Sequence, residues 1–312
     1  MPYSCRVTIF LSVLGVIGVS ASGPIMAATA APVLAIAFWR NLLGAVLMGG
    51  PALVSKRAEF LALTSAEYRR LGIAAVALAL HFACFITALK LTSVAAATAL
   101  VCLQVAWIAL FDALLGSRPQ ASVVAGLGVA FVGVVIITGF DLSLSGEALL
   151  GDLLALAGGA LAAVYQMAGA AARRTLSTGT YTTLCYGACA VILVALCAAT
   201  RQPIVGFSPA AWAGILAVTL LAQIMGHSVF NHLLAVMSPL VVSMIILLEI
   251  PGAAILAAVF LGEQLPLGTY GGLVLILVGL AVVIRGQQRR KARRSPVDEG
   301  TAVAPPPALG GE

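Results

Sequence analysis

The sequence predicts an all-α polytopic membrane protein whose ten transmembrane helices form two inverted five-helix repeats. Three observations predict this fold class. First, the chain of 312 residues is 62% hydrophobic and only 9% charged, whereas soluble domains carry about 25% charged residues. Second, the apolar residues form blocks of about 20, the length that crosses a bilayer as a helix. The third observation is an internal repeat.

Short polar or Gly/Pro segments separate the apolar blocks, which leaves no separate soluble domain. The longest connection, 55–70, is polar and basic. A binding or active site must therefore lie within the membrane or in short loops. The predicted spans cover residues 7–28, 32–54, 71–90, 94–115, 121–140, 149–172, 180–199, 210–232, 239–261 and 267–285.

The basic residues predict the orientation of the chain. With a cytoplasmic N-terminus, 14 of the 17 Lys and Arg residues lie on the cytoplasmic side; Lys90 and Arg201 lie outside, and Arg40 lies within a span. Cytoplasmic loops carry an excess of Lys and Arg. We therefore expect both termini in the cytoplasm, with a short N-terminus at 1–6 and a disordered, basic and Pro-rich tail at 286–312.

Two stretches of the chain repeat each other. Setting Ser93 on Ser238 aligns TSVAAATALVCLQVAWIALFDALLGSRP with MSPLVVSMIILLEIPGAAILAAVFLGEQLP, and the following spans, VAGLGVAFVGVVIITG and YGGLVLILVGLAVVIRG, also match. The chain thus divides into one repeat at 7–140 and another at 149–285. Because five is an odd number, the second repeat enters the membrane in the opposite direction, as in many secondary transporters.

Glu249 is a carboxylate near the middle of the ninth span. An acidic side chain at the centre of a spanning helix costs about 2.5–3.5 kcal/mol on insertion scales, so it usually faces a cavity or a partner. Pro251 removes a backbone donor nearby, and we expect the helix to kink or open at that depth. Gln104 holds the place of Glu249 in the first repeat. We expect both side chains to face one central cavity, where Glu249 could exchange a proton; the alternative is a carboxylate buried for packing.

Arg40 lies within the second span, too deep to be free in solvent. It could meet an anionic group of a substrate or pair with Glu249 or Asp152 as an outer gate. Alternatively, it extends outward beside Trp39 towards the membrane surface. We include Arg40 and Trp39 among the candidate cavity residues.

Further aromatic and polar side chains within the spans are candidates for the cavity wall. The two histidines fall close to the same place in the third and eighth spans, and protonation of either could follow transport. Each of these side chains could instead be satisfied by a neighbouring helix. The candidates are Trp107, His81, His227, Tyr165 and Gln166.

We assign gating or structural roles to Pro24, Pro251 and Glu263. Gly23-Pro24 interrupts the first span, either as part of a mobile gate or as a static kink. Glu263 lies near the outer interface. The six cysteines show no paired CxxC spacing and are typical of apolar packing residues. We expect no metal, no cofactor other than a proton coupled through Glu249, and no nucleic acid.

Four motifs together carry a resemblance to a known family. They are APVLAIAFWRNLLGAVLM in span two, ALKLTSVAAATAL between spans three and four, GDLLALAGGALAAVYQMAGAAARR in span six and LLEIPGAAILAAVFLGEQ in span nine. In order and spacing they resemble the drug/metabolite transporter superfamily, specifically its EamA-type ten-helix branch. Three features depart from the family: the first repeat has Gln104-Val105-Ala106 where the second has Glu249-Ile250-Pro251, 116–118 reads Gly-Ser-Arg where the family's Gly-Glu would stand, and the usual proline next to Glu249 is displaced by one residue, to Pro251.

The resemblance implies a multi-pass carrier of the cytoplasmic (inner) membrane, often an exporter of small metabolites, amino acids or drugs, and not an enzyme. We expect alternating access, a small-molecule substrate and the lipid bilayer as partners, and leave a homodimer open. One alternative is a non-transporting sensor or scaffold that uses the tail. Another is an intramembrane enzyme, which the absence of His-Glu-x-x-His and Gly-x-Ser-x-Gly motifs disfavours.

Overall fold

Long helices form the fold of the computed structural model, which describes residues 5–116, 120–139, 146–264 and 267–294; no strand occurs in these ranges. We label the ten long helices α1 to α10. In the first half, α1 comprises Cys5–Ser20 and Ser22–Ala28, α2 is Val33–Ser55, α3 is Ser65–Leu91, α4 comprises Val94–Val101 and Gln104–Leu114, and α5 is Ala121–Gly139. In the second half, α6 is Gly146–Ala172, α7 is Thr178–Ala199, α8 comprises Pro209–Val218, the π-helix Thr219–Ser228 and Val229–Leu233, α9 comprises Pro239–Ile246 and Glu249–Leu261, and α10 is Leu267–Arg294.

Eight of these helices, all except α5 and α10, are long and apolar enough to cross a membrane within the described ranges. The apolar stretches of α5 and α10 are shorter, at Ala121–Ile136 and Tyr270–Gly279, whereas a spanning helix needs about 20 residues. The structure therefore shows an all-helical protein with eight candidate spans, where the sequence predicted ten.

Two boundaries differ from the sequence predictions. The polar connection after α2 contains a short helix, Arg57–Leu61, and α3 already begins at Ser65. At the other end of the chain, α10 continues to Arg294, although a disordered tail was predicted from 286. The rest of that tail, 295–312, and Ser117 and Arg118 of the Gly-Ser-Arg segment lie outside the described residues.

The early start of α3 has a local cause, a capping box at Thr64. The Thr64 hydroxyl accepts a hydrogen bond from the Glu67 N–H at 3.3 Å, and the Thr64 N–H donates to Glu67 Oε2 at 2.7 Å. Two backbone donors that a helix start leaves unpaired are thereby satisfied. The sequence Thr-Ser-Ala-Glu carries this signature, which could have placed the boundary.

We expect Thr64→Ala to destabilise the protein by about 1 kcal/mol, the usual cost of losing such a cap. The measurement is the apparent unfolding temperature of detergent-purified protein. Ser65→Ala, at the exposed neighbouring position, is the control and should change stability by less than about 0.5 kcal/mol. Equal unfolding temperatures for the two variants would show that the capping box contributes nothing.

Helix pairing in the core joins the two halves. The most extensive contacts join α3 with α6, α5 with α10 and α2 with α7, and further contacts join α1 with α8 and α4 with α9. Each helix of one half has an equivalent helix in the other half, five positions along the chain. If every helix is replaced by its equivalent, the same pairs are obtained: α3–α6 becomes α8–α1, and α2–α7, α4–α9 and α5–α10 are each unchanged. A two-fold relation between the halves produces such a pattern, and it supports the repeat found in the sequence. Opposite insertion of the halves stays a prediction.

Candidate functional site

A polar cavity lies between the two halves, and we name it the central cavity. It is lined by α1, α3 and α4 from the first half and by α6, α8 and α9 from the second. These six helices are three pairs of equivalent helices in the two repeats. The cavity volume is about 40 Å³, and a cavity needs about 10–15 Å³ to hold one water molecule. The central cavity therefore has room for a few water molecules but not for an organic solute.

Two of the lining helices, α4 and α9, are interrupted at equivalent points. Two residues separate the half-helices in each, and the second half-helix begins at Gln104 in α4 and at Glu249 in α9. Tighter i→i−3 hydrogen bonds cross both gaps, with the N–H groups of Leu103 and Leu248 as donors. The N-terminus of a half-helix is its positive end, which favours a carboxylate such as that of Glu249.

The gap in α9 occurs at the depth that the sequence predicted, but it does not require proline. It precedes Glu249, upstream of Pro251, and α4 is interrupted in the same way with Ala106 at the equivalent position. Pro251 is the third residue of its half-helix, where a backbone N–H has no partner within the helix. Pro24 occupies the same third position in Ser22–Ala28 of α1. Both prolines are thus compatible with the interruptions, and their gating roles stay predictions.

Glu249 and Gln104 both line the central cavity. Their side chains are only 7% and 6% exposed, yet neither makes a hydrogen bond or ion pair with another residue in the described part of the chain. An unpaired carboxylate is costly in a low-dielectric interior. The polar atoms of both side chains are therefore available to whatever enters the cavity.

The two predicted histidines also line the central cavity. His81 Nδ1 lies 2.9 Å from the Gly158 carbonyl oxygen, so we assign the proton to Nδ1, which leaves Nε2 as an acceptor. His227 lies in the π-helix of α8 and packs edge-on against Phe82, with ring centroids 5.6 Å apart. His232 instead meets the Thr178 hydroxyl at 2.9 Å. The two histidines of α8 thus have separate surroundings.

Tyr165 and Gln166 of α6 complete the polar wall of the central cavity. The Tyr165 hydroxyl accepts a hydrogen bond from Asn231 Nδ2 at 2.6 Å. The Ser243 hydroxyl donates to Gln166 Oε1 at 2.6 Å. Neighbouring helices therefore hold both side chains in place beside Glu249.

Arg40 lies outside the lining of the central cavity and is fully buried. Its Nε donates to Gln223 Oε1 at 2.9 Å, its Nη1 lies 3.2 Å from Met26 Sδ, and its Cζ lies 4.2 Å from the centroid of the Phe82 ring. No hydrogen bond or ion pair within 4.0 Å joins Arg40 to Glu249 in the described structure, although the two charges attract each other at longer range. The predicted pair with Glu249 is therefore not formed in this conformation.

The two predicted tryptophans also lie outside the lining. Trp39 donates from its indole nitrogen to the Ile204 carbonyl oxygen at 2.6 Å, in the connection between α7 and α8, and packs edge-on against Trp212 of α8. Trp107 packs against Phe111, with centroids 5.9 Å apart. It lies three residues beyond Gln104 in α4, which is about 4.5 Å along the helix axis. This position is farther from the interruption of α4 than Gln104, which lines the cavity.

Contacts between the halves close one end of the bundle, which we name the Glu67 end. The Thr175 hydroxyl donates to Glu67 Oε1 at 2.6 Å, and the Ser177 N–H donates to Glu59 Oε2 at 2.9 Å. Partial burial acts to raise the pKa of the Glu59 carboxyl, but hydrogen bonds from Ser177 and the charge of Lys56 outweigh it, so the pKa lies below its usual value. The contact between Ser177 and Glu59 is therefore retained at neutral pH and lost only as the pH falls through the lowered pKa of Glu59.

Other contacts close the opposite end, which we name the Glu263 end. The Val94 N–H, at the start of α4, donates to Glu263 Oε1 at 3.1 Å. The hydrogen bond from Trp39 to Ile204 also joins the halves at this end. Lys90 donates to the carbonyl oxygens of Ala27 and Thr29 at 2.9 and 3.0 Å. Glu263 thus makes an inter-repeat contact, and its predicted gating or structural role stays a prediction.

Two amide side chains near the site, those of Gln223 and Asn231, were missed from the sequence. Gln223 of the π-helix binds Arg40 and also donates to Asn41 Oδ1 at 3.1 Å. Asn231 donates to the hydroxyls of Tyr165 and Tyr186. Buried amides within apolar spans are expensive and usually functional or structural, and this signal could have selected both residues.

Comparisons with known proteins agree with this fold. The family model described as EamA-like transporter family matches residues 6–139 and again residues 149–285. One solved protein crystal structure is similar, with a TM-score of 0.68 and 19% sequence identity, covering 90% of this chain and 98% of that chain. At this identity the similarity shows the fold alone. No curated protein matches the chain in sequence.

Proposed function

Because the chain belongs to the EamA-like transporter family, we propose that it is a secondary carrier that moves a small solute across the membrane through the central cavity. The observation that carries this proposal is the position of the cavity between equivalent helices of both repeats, at the interruptions of α4 and α9. Secondary transporters bind their substrates at such places, and movement of one repeat against the other gives alternating access.

The contacts at the two ends support this mechanism. In the present conformation, the Glu67 end and the Glu263 end both carry hydrogen bonds between the halves, and the cavity is too small for a solute. We infer that this conformation is occluded. An open state would break the contacts at one end and keep those at the other.

We further propose that both termini face the cytoplasm, that the protein lies in the inner membrane, that α5 and α10 are the remaining two spans, and that export is its direction. The distribution of Lys and Arg supports the orientation. We also propose proton coupling through Glu249. Protonation would remove a buried charge that pairs with no side chain in the described structure, so proton uptake and solute binding would compete for one carboxylate.

The experiment begins with a thermal-shift screen of purified protein against amino acids, nucleosides, polyamines and cationic drugs. A ligand that binds the folded state raises its stability by mass action, so a modest affinity is visible at millimolar concentrations. Each hit is then tested by counterflow in proteoliposomes. We expect flux above that of protein-free liposomes, unchanged by deletion of 295–312. Binding without flux would contradict the carrier and favour a sensor, as would a phenotype that depends on the tail.

We expect Thr175→Val to favour opening at the Glu67 end. The change removes one hydrogen bond between the halves, worth about 1 kcal/mol, and leaves the capping box of α3 intact. Cys102 lines the central cavity as a free thiol and can report on access. An impermeant thiol reagent applied at the Glu67 end should modify Cys102 about fivefold faster.

The same measurement on Cys102→Ala identifies the signal of this cysteine. Thr200→Val, whose hydroxyl donates to the backbone carbonyl oxygens of Leu196 and Cys197 in α7, is the control and should leave the rate unchanged. An unchanged rate in Thr175→Val would remove the Glu67 contacts from the gating mechanism.

A further inference from the structure

The charges that line the central cavity are unbalanced. Glu249 is the only acidic or basic residue, other than histidine, among the described residues of the lining. Its carboxylate makes no hydrogen bond or ion pair in the described structure. The other polar groups of the wall are amides, hydroxyls and two imidazoles, and part of their hydrogen-bonding capacity is already used by Gly158, Asn231 and Ser243.

The nearby positive charge is held away from this cavity. Phe82 lines the central cavity while Arg40 does not, and the guanidinium lies against the Phe82 ring. Gln223 and Met26 hold the guanidinium through its Nε and Nη1 atoms, and Asn41 holds Gln223 in turn, whereas Nη2 is buried and makes no hydrogen bond in the described structure. We name these contacts the Arg40 clamp. Because of the clamp, a solute in the cavity meets the carboxylate directly and meets the guanidinium only at longer range.

The remaining wall suits an apolar body. Phe82, Phe85, Val101 and Ile246 line the same cavity, so a charged group at Glu249 would leave the rest of a small solute against aromatic and aliphatic surface. Aromatic faces also attract cations and repel anions.

We propose, on the basis of the carrier function above, that the central cavity selects small organic cations with one amine and an apolar body, and that the Arg40 clamp determines this charge preference. The amine binds the Glu249 carboxylate and the amide of Gln104. Anions are repelled by the carboxylate, and the clamp keeps the guanidinium, with its unbonded Nη2, outside the lining that a solute would contact.

The test uses four related solutes that differ in charge. They share a phenylethyl group and are phenethylamine, 2-phenylethanol, 3-phenylpropanoate and phenylalanine, the last two with one additional carbon in the carboxylate. Calorimetric titration of detergent-purified protein at neutral pH should show that phenethylamine binds about tenfold to a hundredfold more tightly than the neutral alcohol, as expected for hydrogen bonds to a charged partner. The anion should bind more weakly than the alcohol.

Substitutions separate the carboxylate from the clamp. Glu249→Gln should abolish the preference for the amine, whereas Glu147→Gln, an exposed acid at the start of α6, should keep it. Gln223→Leu should release the Arg40 guanidinium and reduce the difference in affinity between phenethylamine and 3-phenylpropanoate. If that variant does not fold, Met26→Leu tests the same clamp with little change in volume, and Met48→Leu on α2 is its control.

Each outcome decides between the alternatives. Equal affinities of the four solutes, or tighter binding of the anion or of zwitterionic phenylalanine, would overturn the proposal. So would a preference that survives Glu249→Gln. A charge preference together with failed counterflow would leave the cation site standing and remove the carrier function. Flux of anionic or neutral hits would keep the carrier function and remove the proposed preference for cations.

Discussion

Glu249→Gln is expected to lower solute flux at least about tenfold while the protein still folds. The substitution keeps the shape of the side chain and removes the only carboxylate among the described residues that line the central cavity. A hydrogen bond to a charged group contributes about 1.5–3 kcal/mol, and the loss of that contribution corresponds to a factor of about ten or more. The measurement is counterflow in proteoliposomes with a hit from the thermal-shift screen.

The control for this prediction is Glu147→Gln, which removes an exposed acid and should leave flux unchanged. Folding is checked by gel filtration and by the apparent unfolding temperature, which should not fall in Glu249→Gln because an unpaired buried charge has been removed. If Glu249 couples a proton, the pH dependence of flux should also disappear in the variant. Flux and pH dependence that both survive would exclude Glu249 from the transport mechanism.

Gly159→Ala is expected to produce the largest loss of stability that we predict for a one-carbon change. An added Cβ would lie 2.8 Å from the carbonyl oxygen of Val101, the last residue before the interruption of α4, and 3.2 Å from that of Leu100. Both are backbone atoms, so α6 and α4 would have to move apart. Overpacking of this kind costs about 1–3 kcal/mol and sometimes more, which exceeds the gain of about 1 kcal/mol from replacing Gly in a helix.

The adjacent Gly158→Ala is a matched control in the same helix. Its Cβ would meet Cys84 Cβ at 3.5 Å and backbone atoms of α3 at 3.6 Å, which are ordinary contacts. We therefore expect Gly158→Ala to be neutral or stabilising, and Gly159→Ala to lower the apparent unfolding temperature and the flux together. Equal unfolding temperatures for the two variants would contradict the close approach of α6 to the α4 interruption.

Much of the fold could be predicted from the sequence because the relevant signals are local. Apolar blocks of spanning length and an internal repeat need no knowledge of packing. The family match at 6–139 and 149–285 confirms the family and the two repeats. The equivalence of Gln104 and Glu249 also came from alignment of the repeats, and six of the nine predicted cavity residues line one cavity. Their roles in transport stay predictions.

The rest of the site depended on partners that are remote in sequence. Arg40 was correctly placed within a span, but its orientation is set by Gln223, which lies 183 residues away. Nothing in the local pattern of α8 indicated a π-helix, which changes the direction of the side chains that follow. Trp39 lies outside the cavity because of the way its helix pairs with others, and Trp107 because of its distance from the interruption of α4. Neither feature can be predicted from the periodicity of apolar residues.

The sequence by itself determined the class of protein, the positions of the main apolar helices and the residues that carry charge at mid-span. These features follow from the cost of placing polar groups in a bilayer, which each segment meets separately. Only the tertiary structure decided which of those polar groups pair with each other and which stay unpaired. Arg40 is held by Gln223 and Met26, whereas Glu249 is left facing the cavity. Such pairing depends on distances of a few ångströms between helices that meet only in the folded bundle.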